Sequence, residues 1–123
     1  MGTLNKYLEE LHGVTTKTDV TDEVGQLVDA ESAMDQIIDL LHQVRDTKKK
    51  NIFIGNGGSA AIASHMAIDY SKNGRLPSLA FNDGSALTCL GNDLGFENVF
   101  AEQIKLHARQ GDLLFAISSS GAS

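Results

Sequence analysis

The run Asn51-Ile52-Phe53-Ile54-Gly55-Asn56-Gly57-Gly58-Ser59-Ala60 decides how this chain folds. Ile52-Phe53-Ile54 is a short β-type run that breaks at Gly55, as a buried parallel strand does. Residues 59 to 73 then read as a helix, with Ala60, Ala61, Ala63, Met66, Ala67 and Tyr70 available for packing. The glycines between strand and helix let the backbone approach a ligand closely. The N–H groups of the first helical turn point at that ligand, which is the physical recipe for a phosphate cradle.

Downstream, the only proline, Pro77, precedes a second strand, Ser78-Leu79-Ala80-Phe81. Residues 84 to 91 and 97 to 109 look helical, with a break around Asn92, Asp93 and Gly95. Gly111-Asp112 turns into a third strand, Leu113-Leu114-Phe115-Ala116-Ile117. This alternation predicts an α/β fold, the first half of a doubly wound parallel sheet of flavodoxin-like strand order in which strands one and three are neighbours.

Upstream, residues 1–50 read as a helical segment. Leu4, Tyr7, Leu8 and Leu11 make a short amphipathic set ended near Gly13. A longer helix is expected from a cap at Thr21 or Asp22, with Val24, Leu27, Val28, Met34, Ile37, Ile38, Leu41 and Val44 at three- and four-residue steps. Residues 51–123 then form the partial α/β domain, expected to be incomplete at its C-terminal end.

The third strand runs into Ser118-Ser119-Ser120-Gly121-Ala122-Ser123, four hydroxyls around a glycine. These are donors for phosphate or sugar oxygens. In the predicted strand order this turn and the glycine turn flank one crevice at the C-terminal strand ends, where doubly wound sheets bind ligands. A rival reading takes Gly55-x-Gly57-x-x-Ala60 as a dinucleotide fingerprint with Asp83 on a ribose hydroxyl. The serine turn argues against it, since a dinucleotide does not require one. No Gly-x-Ser-x-Gly elbow of a serine hydrolase is present.

Composition narrows the partners. Hydrophobic residues make up 41% of 123, enough for a packed core. The formal charge of −6 argues against nucleic acid, so an anion must be held by local groups. Lys48-Lys49-Lys50 sits at a helix end, where cations complement the dipole, and reads as solvated. The single cysteine, Cys89, allows no internal disulfide and reads as a small buried hydrophobe. No apolar run is long enough to span a membrane, and the reading is cytoplasmic.

On the helix after the glycine turn, His65 and Asp69 stand four residues apart on one face. The spacing suits two metal ligands, an imidazole and a carboxylate acting on one substrate, or an ordinary surface pair. Asn92 and Asp93 are a second polar cluster, which at a helix end is more often capping or turn chemistry than catalysis.

Taken in order, Ile54-Gly-Asn-Gly-Gly-Ser-Ala-Ala, His65-x-x-x-acid, Ser85-Ala-Leu-Thr, Asn92-Asp93, Val99-Phe100-Ala101 and Ser118-x-Ser-Gly-x-Ser resemble the sugar isomerase (SIS) domain, and within it the phosphoheptose isomerases. The resemblance implies aldose–ketose interconversion of sedoheptulose 7-phosphate to heptose 7-phosphate in a cytoplasmic homotetramer. It implies substrate contacts at Asn56, Gly57, Gly58, Ser59, Asn92, Asp93, Ser118, Ser119, Ser120 and Ser123. It also implies a zinc ion on His65 and Asp69, completed by ligands from a later helix, with Asp69 as the catalytic carboxylate. Two residues depart from the pattern: Asp69 replaces the usual glutamate, and Ala122 replaces an asparagine. The alternative within the family is a non-catalytic SIS-domain protein that binds a sugar phosphate or a partner such as a replication initiator.

Overall fold

A computed structural model describes residues 2–122 as two compact units, divided between Asp39 and Leu40. The N-terminal unit opens with α1 (Thr3–Thr15), whose apolar set Leu4, Tyr7, Leu8 and Leu11 is exposed. A hairpin takes the place of the continuous helix expected from Thr21 or Asp22. Val20–Thr21 (β1) and Leu27–Val28 (β2) pair antiparallel, and α2 begins only at Ala30 and runs to Asp46. Asp22 closes the hairpin turn instead of capping a helix. Its Oδ1 accepts the N–H groups of Val24 at 3.0 Å and Gln26 at 2.9 Å, while Gly25 takes a left-handed φ of 80°. The cap of α2 is Asp29, whose carboxylate accepts both the Ser32 N–H at 2.8 Å and the Ser32 hydroxyl at 2.9 Å. Those bonds, the backbone one first, hold the Asp29 carboxyl below its ordinary pKa.

In the second unit α2 ends in a Schellman turn. The Lys49 N–H reaches the Val44 carbonyl at 2.8 Å and the Lys48 N–H reaches Arg45 at 3.1 Å. Lys48 occupies the left-handed position, with φ 55°, where glycine is usual. The chain then enters β3 (Asn51–Gly55), α3 (Gly58–Lys72), β4 (Ser78–Ala80), α4 (Gly84–Leu94), a 3-10 turn (Phe96–Asn98), α5 (Val99–His107) and β5 (Leu113–Ile117). The sheet order is β4-β3-β5, all parallel, so the first strand of the α/β unit is its centre. The predicted neighbours are neighbours.

Burial explains why β3 sits in the middle. Asn51, Ile52 and Phe53 are all buried, as a strand covered on both faces requires. Phe53 stacks on Phe115 with centroids 4.8 Å apart, and Tyr70 of α3 meets the Phe53 ring edge-on at 5.2 Å. Ala63 and Ala67 let α3 lie close on this cluster, with Met66 filling beside them. The break before α5 falls at Gly95, with φ 88°, so Asn92 and Asp93 belong to the last turn of α4. Cys89, on the same helix, is exposed; the apolar stretch around it does not bury it. Lys50 is not solvated as its run suggests, because it is drawn into an ion pair with Asp112.

Candidate functional site

The glycine turn between β3 and α3 is shaped by two separate constraints. A Cβ on Gly55 would stand 2.8 Å from the Ser59 backbone, so strand end and helix start touch where only glycine fits. Gly57 has φ 55° and ψ −121°, a conformation that side chains disfavour. Ser59 and Ala60 turn their N–H groups back on the Asn56 and Gly57 carbonyls, at 3.0 and 3.1 Å. Among the described residues, Gly57 and Gly58 have no backbone acceptor for theirs, which makes them the donors this turn offers an anion.

The serine turn is wound on its own hydroxyls. Ser118 Oγ accepts the Gly121 N–H at 3.0 Å, Ser120 Oγ accepts the Ala122 N–H at 3.2 Å, and the two hydroxyls are 3.5 Å apart. Each of these contacts fixes a donor-rich bend before any ligand arrives. Ser119 lies in the same exposed bend, and Ser123 lies outside the described residues.

Strand register brings the two turns together. Gly55 pairs directly with Ile117, so the glycine and serine turns leave adjacent parallel strands at the same level. Between them opens a cleft of about 600 Å³, with Gly55 and Asn56 on one wall, Ser118 on another, and Phe96 and Phe100 closing it. The volume suits a phosphorylated sugar, and apolar walls with a few polar groups are usual for such sites. Glu97 also lines the cleft and is the only acid among its described lining residues. Its position two residues past the break at Gly95 carries no local signal of a place on the cleft wall.

The remaining candidates lie elsewhere on the same unit. His65 and Asp69 occupy the exposed face of α3, away from Ala63 and Ala67, and do not line the cleft. His65 Nε2 and Asp69 Oδ2 are 3.2 Å apart, close to the roughly 3.3 Å between two donors on one tetrahedral zinc. Asn73 Nδ2 donates to the other Asp69 oxygen at 3.3 Å. As donors the pair fits two zinc ligands. It is not a zinc site alone, since among the described residues no cluster of three His, Cys, Asp or Glu forms. Asn92 and Asp93 engage each other at 2.8 Å, and the Cys89 thiol lies 3.7 Å from the second Asp93 oxygen. Asp83, the ribose candidate of the rival reading, caps α4 by accepting the Ala86 N–H at 3.0 Å.

A parallel doubly wound sheet carrying two donor-rich turns over one crevice defines an α/β ligand-binding domain. The SIS domain family matches residues 18–123, and the chain belongs to that family. It is 39% identical over 110 residues to the phosphoheptose isomerase of Geotalea daltonii, covering 85% of this chain and 56% of that one. It is 50% identical over 82 residues to the phosphoheptose isomerase of Nitratiruptor sp., covering 62% and 44%. The solved phosphoheptose isomerase GmhA of Neisseria gonorrhoeae superposes with a TM-score of 0.67 at 41% identity, over 75% of this chain and 50% of that one. A Francisella tularensis phosphoheptose isomerase, at 24% identity and a TM-score of 0.72, shares the fold over 98% of this chain and 64% of that one. The chain thus spans about half the length of the curated relatives it matches. Among the described residues no helix is long and apolar enough to cross a membrane.

Proposed function

We propose that this chain forms the glycine-turn and serine-turn half of a phosphoheptose isomerase acting on sedoheptulose 7-phosphate. The observation that carries the reading is the equal register of Gly55 and Ile117, which aims both turns at one cleft. The phosphate sits on the Gly57 and Gly58 N–H groups and on the serine turn from Ser118 to Ser120, with Asn56 beside it and Ser123 added from beyond the described residues. Asn92 and Asp93, which are not among the cleft's lining residues, are the contacts proposed for the sugar chain.

In this reaction a base takes the proton from the carbon next to the carbonyl and returns it to the former carbonyl carbon, through an enediol. Asp69 is the carboxylate proposed for that transfer. Its partner His65 holds it from four residues away on the same helix face. Zinc on these two residues, with further ligands from outside the described chain, would polarise the substrate carbonyl. The setting proposed is a cytoplasmic homotetramer.

A second reading has an observation of its own: His65 and Asp69 are not among the residues that line the cleft. It keeps the phosphate site and drops the chemistry, leaving a SIS-domain protein that binds sugar phosphates or a protein partner. Turnover of sedoheptulose 7-phosphate by the whole protein, wild type against Asp69→Ala, separates the two. Loss of turnover in the variant supports the isomerase. Equal and negligible turnover in both, with the sugar phosphate still bound, supports the second reading.

A further inference from the structure

Lys48, Lys49, Lys50 and Arg109 line a second depression, of about 320 Å³, with Pro77 and Asp112. It lies at the starts of the parallel strands whose far ends carry the cleft. We propose that this depression is a separate binding site for a small, multiply charged phosphorylated anion.

The charge count is the first reason. Four cations surround one carboxylate, and that carboxylate is already engaged. Asp112 accepts the Lys50 N–H at 3.0 Å, the Lys50 ammonium, and the Arg109 N–H at 2.7 Å. Among the described residues neither Lys48 nor Lys49 has an ion-pair partner. In a chain of net charge −6 this local surplus stands against the overall field.

Placement is the second reason. Lys48 sits in the left-handed position of the Schellman turn, with φ 55°, where glycine would be easier. The Lys49 stem lies over Gly111, whose Cβ, if present, would be 3.3 Å from Lys49 Cε; with φ 91° there, that turn leaves the lysine its path. Arg109 is oriented by its own Nη1, which donates to Leu106 and Ala108 carbonyls at 3.0 and 2.8 Å, leaving the rest of the guanidinium fork for a ligand.

Shape decides the class of ligand. A concave site of this size holds a small molecule, whereas nucleic acid or a membrane surface needs an extended basic face that a chain of this charge lacks. The site stands whether or not the isomerase reading does.

Equilibrium dialysis of the whole protein against inorganic pyrophosphate at low ionic strength tests it, with wild type, Lys48→Gly/Lys49→Gln, Lys49→Gln, Lys72→Gln and Ser118→Ala. The double variant should bind the anion at this site at least about tenfold more weakly, with Lys49→Gln falling in the same direction. Lys72→Gln, which removes a cation from the end of α3, should bind as wild type does, and Ser118→Ala should retain this site. Because Lys48→Gly relieves the left-handed backbone, the double variant should melt no lower than wild type, so weaker binding is not lost fold. The proposal is overturned if wild type takes up no pyrophosphate, if Lys72→Gln weakens binding as much as the double variant, or if Ser118→Ala alone abolishes all uptake.

Discussion

Asp112 accepts the Lys50 N–H at 3.0 Å through Oδ1 and the Lys50 ammonium through Oδ2, tying together the residues that lead into β3 and β5. The Leu113 N–H returns the contact, donating to the Lys50 carbonyl at 3.0 Å. One carboxylate therefore clamps the entry of two adjacent strands. Asp112→Ala should cost about 2 kcal/mol, because it leaves a half-buried ammonium and two backbone donors without their acceptor. Urea unfolding of the two chains measures it; a loss within a few tenths would show the clamp to be incidental.

The same residue sets a pH dependence. Burial raises the Asp112 pKa, but hydrogen bonds from the Lys50 ammonium, the Lys50 N–H and the Arg109 N–H outweigh it and hold the carboxyl below its ordinary value. A carboxyl depressed on folding contributes stability that is present above its unfolded pKa, about 3.9, and is lost as pH falls through the folded value. Asp112→Asn should therefore flatten the acid side of the stability curve below about pH 4, a change visible in thermal midpoints taken across that range.

Gly55 and Gly57 should fail differently. Gly55→Ala drives a methyl to 2.8 Å from the Ser59 backbone, which cannot swing aside, and should cost about 1–3 kcal/mol in unfolding free energy. Gly57→Ala meets no atom within 4 Å but is strained by its φ of 55°. It should cost less in stability and show mainly as weaker phosphate binding, read by calorimetric titration with a sugar phosphate.

Lys48→Gly should stabilise the chain by about 1 kcal/mol, since a side chain in the left-handed region is disfavoured by about that much. A higher melting temperature is the expected reading, and a lower one would mean the lysine stem makes contacts worth more than the strain.

The length of the acid on α3 is also testable. Asp69 stands where the resemblance implies glutamate, and an error near 1 Å in placement can cost on the order of a hundredfold in rate. In the whole protein, Asp69→Glu should raise turnover of sedoheptulose 7-phosphate if the carboxylate works on substrate. As Asp69 is partly exposed and pairs only locally, neither Asp69→Glu nor Asp69→Ala should shift the unfolding midpoint appreciably.

Much of the α/β unit was legible because its signals are local. Leu113–Ile117 is an apolar run bounded by Gly111 and Ser118, and the strand begins and ends where that run does. The hairpin was not legible, for a physical reason. Val24, Leu27 and Val28 continue the three- and four-residue spacing of α2, so the period alone reads helix through them. The competing signals were Asp22 and Gly25, two turn formers spaced for a hairpin. At the site, both turns could be read from glycine and serine content, but Glu97 could not, because its place on the cleft wall depends on how the chain turns at Gly95. The Lys50–Asp112 clamp joins residues 62 positions apart, a distance over which charge patterning says nothing.

The pairing of Gly55 with Ile117 means that the cleft tolerates some kinds of sequence drift and not others. Exchanging one hydroxyl for another after Ser118 alters a single contact. Inserting or deleting one residue within Leu113–Ile117 would invert which side chains face α3, swinging Phe115 off Phe53 and carrying the whole serine turn to the wrong height. Variation in homologous chains should therefore collect as substitutions in the turns, while the length of the strand that presents them stays fixed.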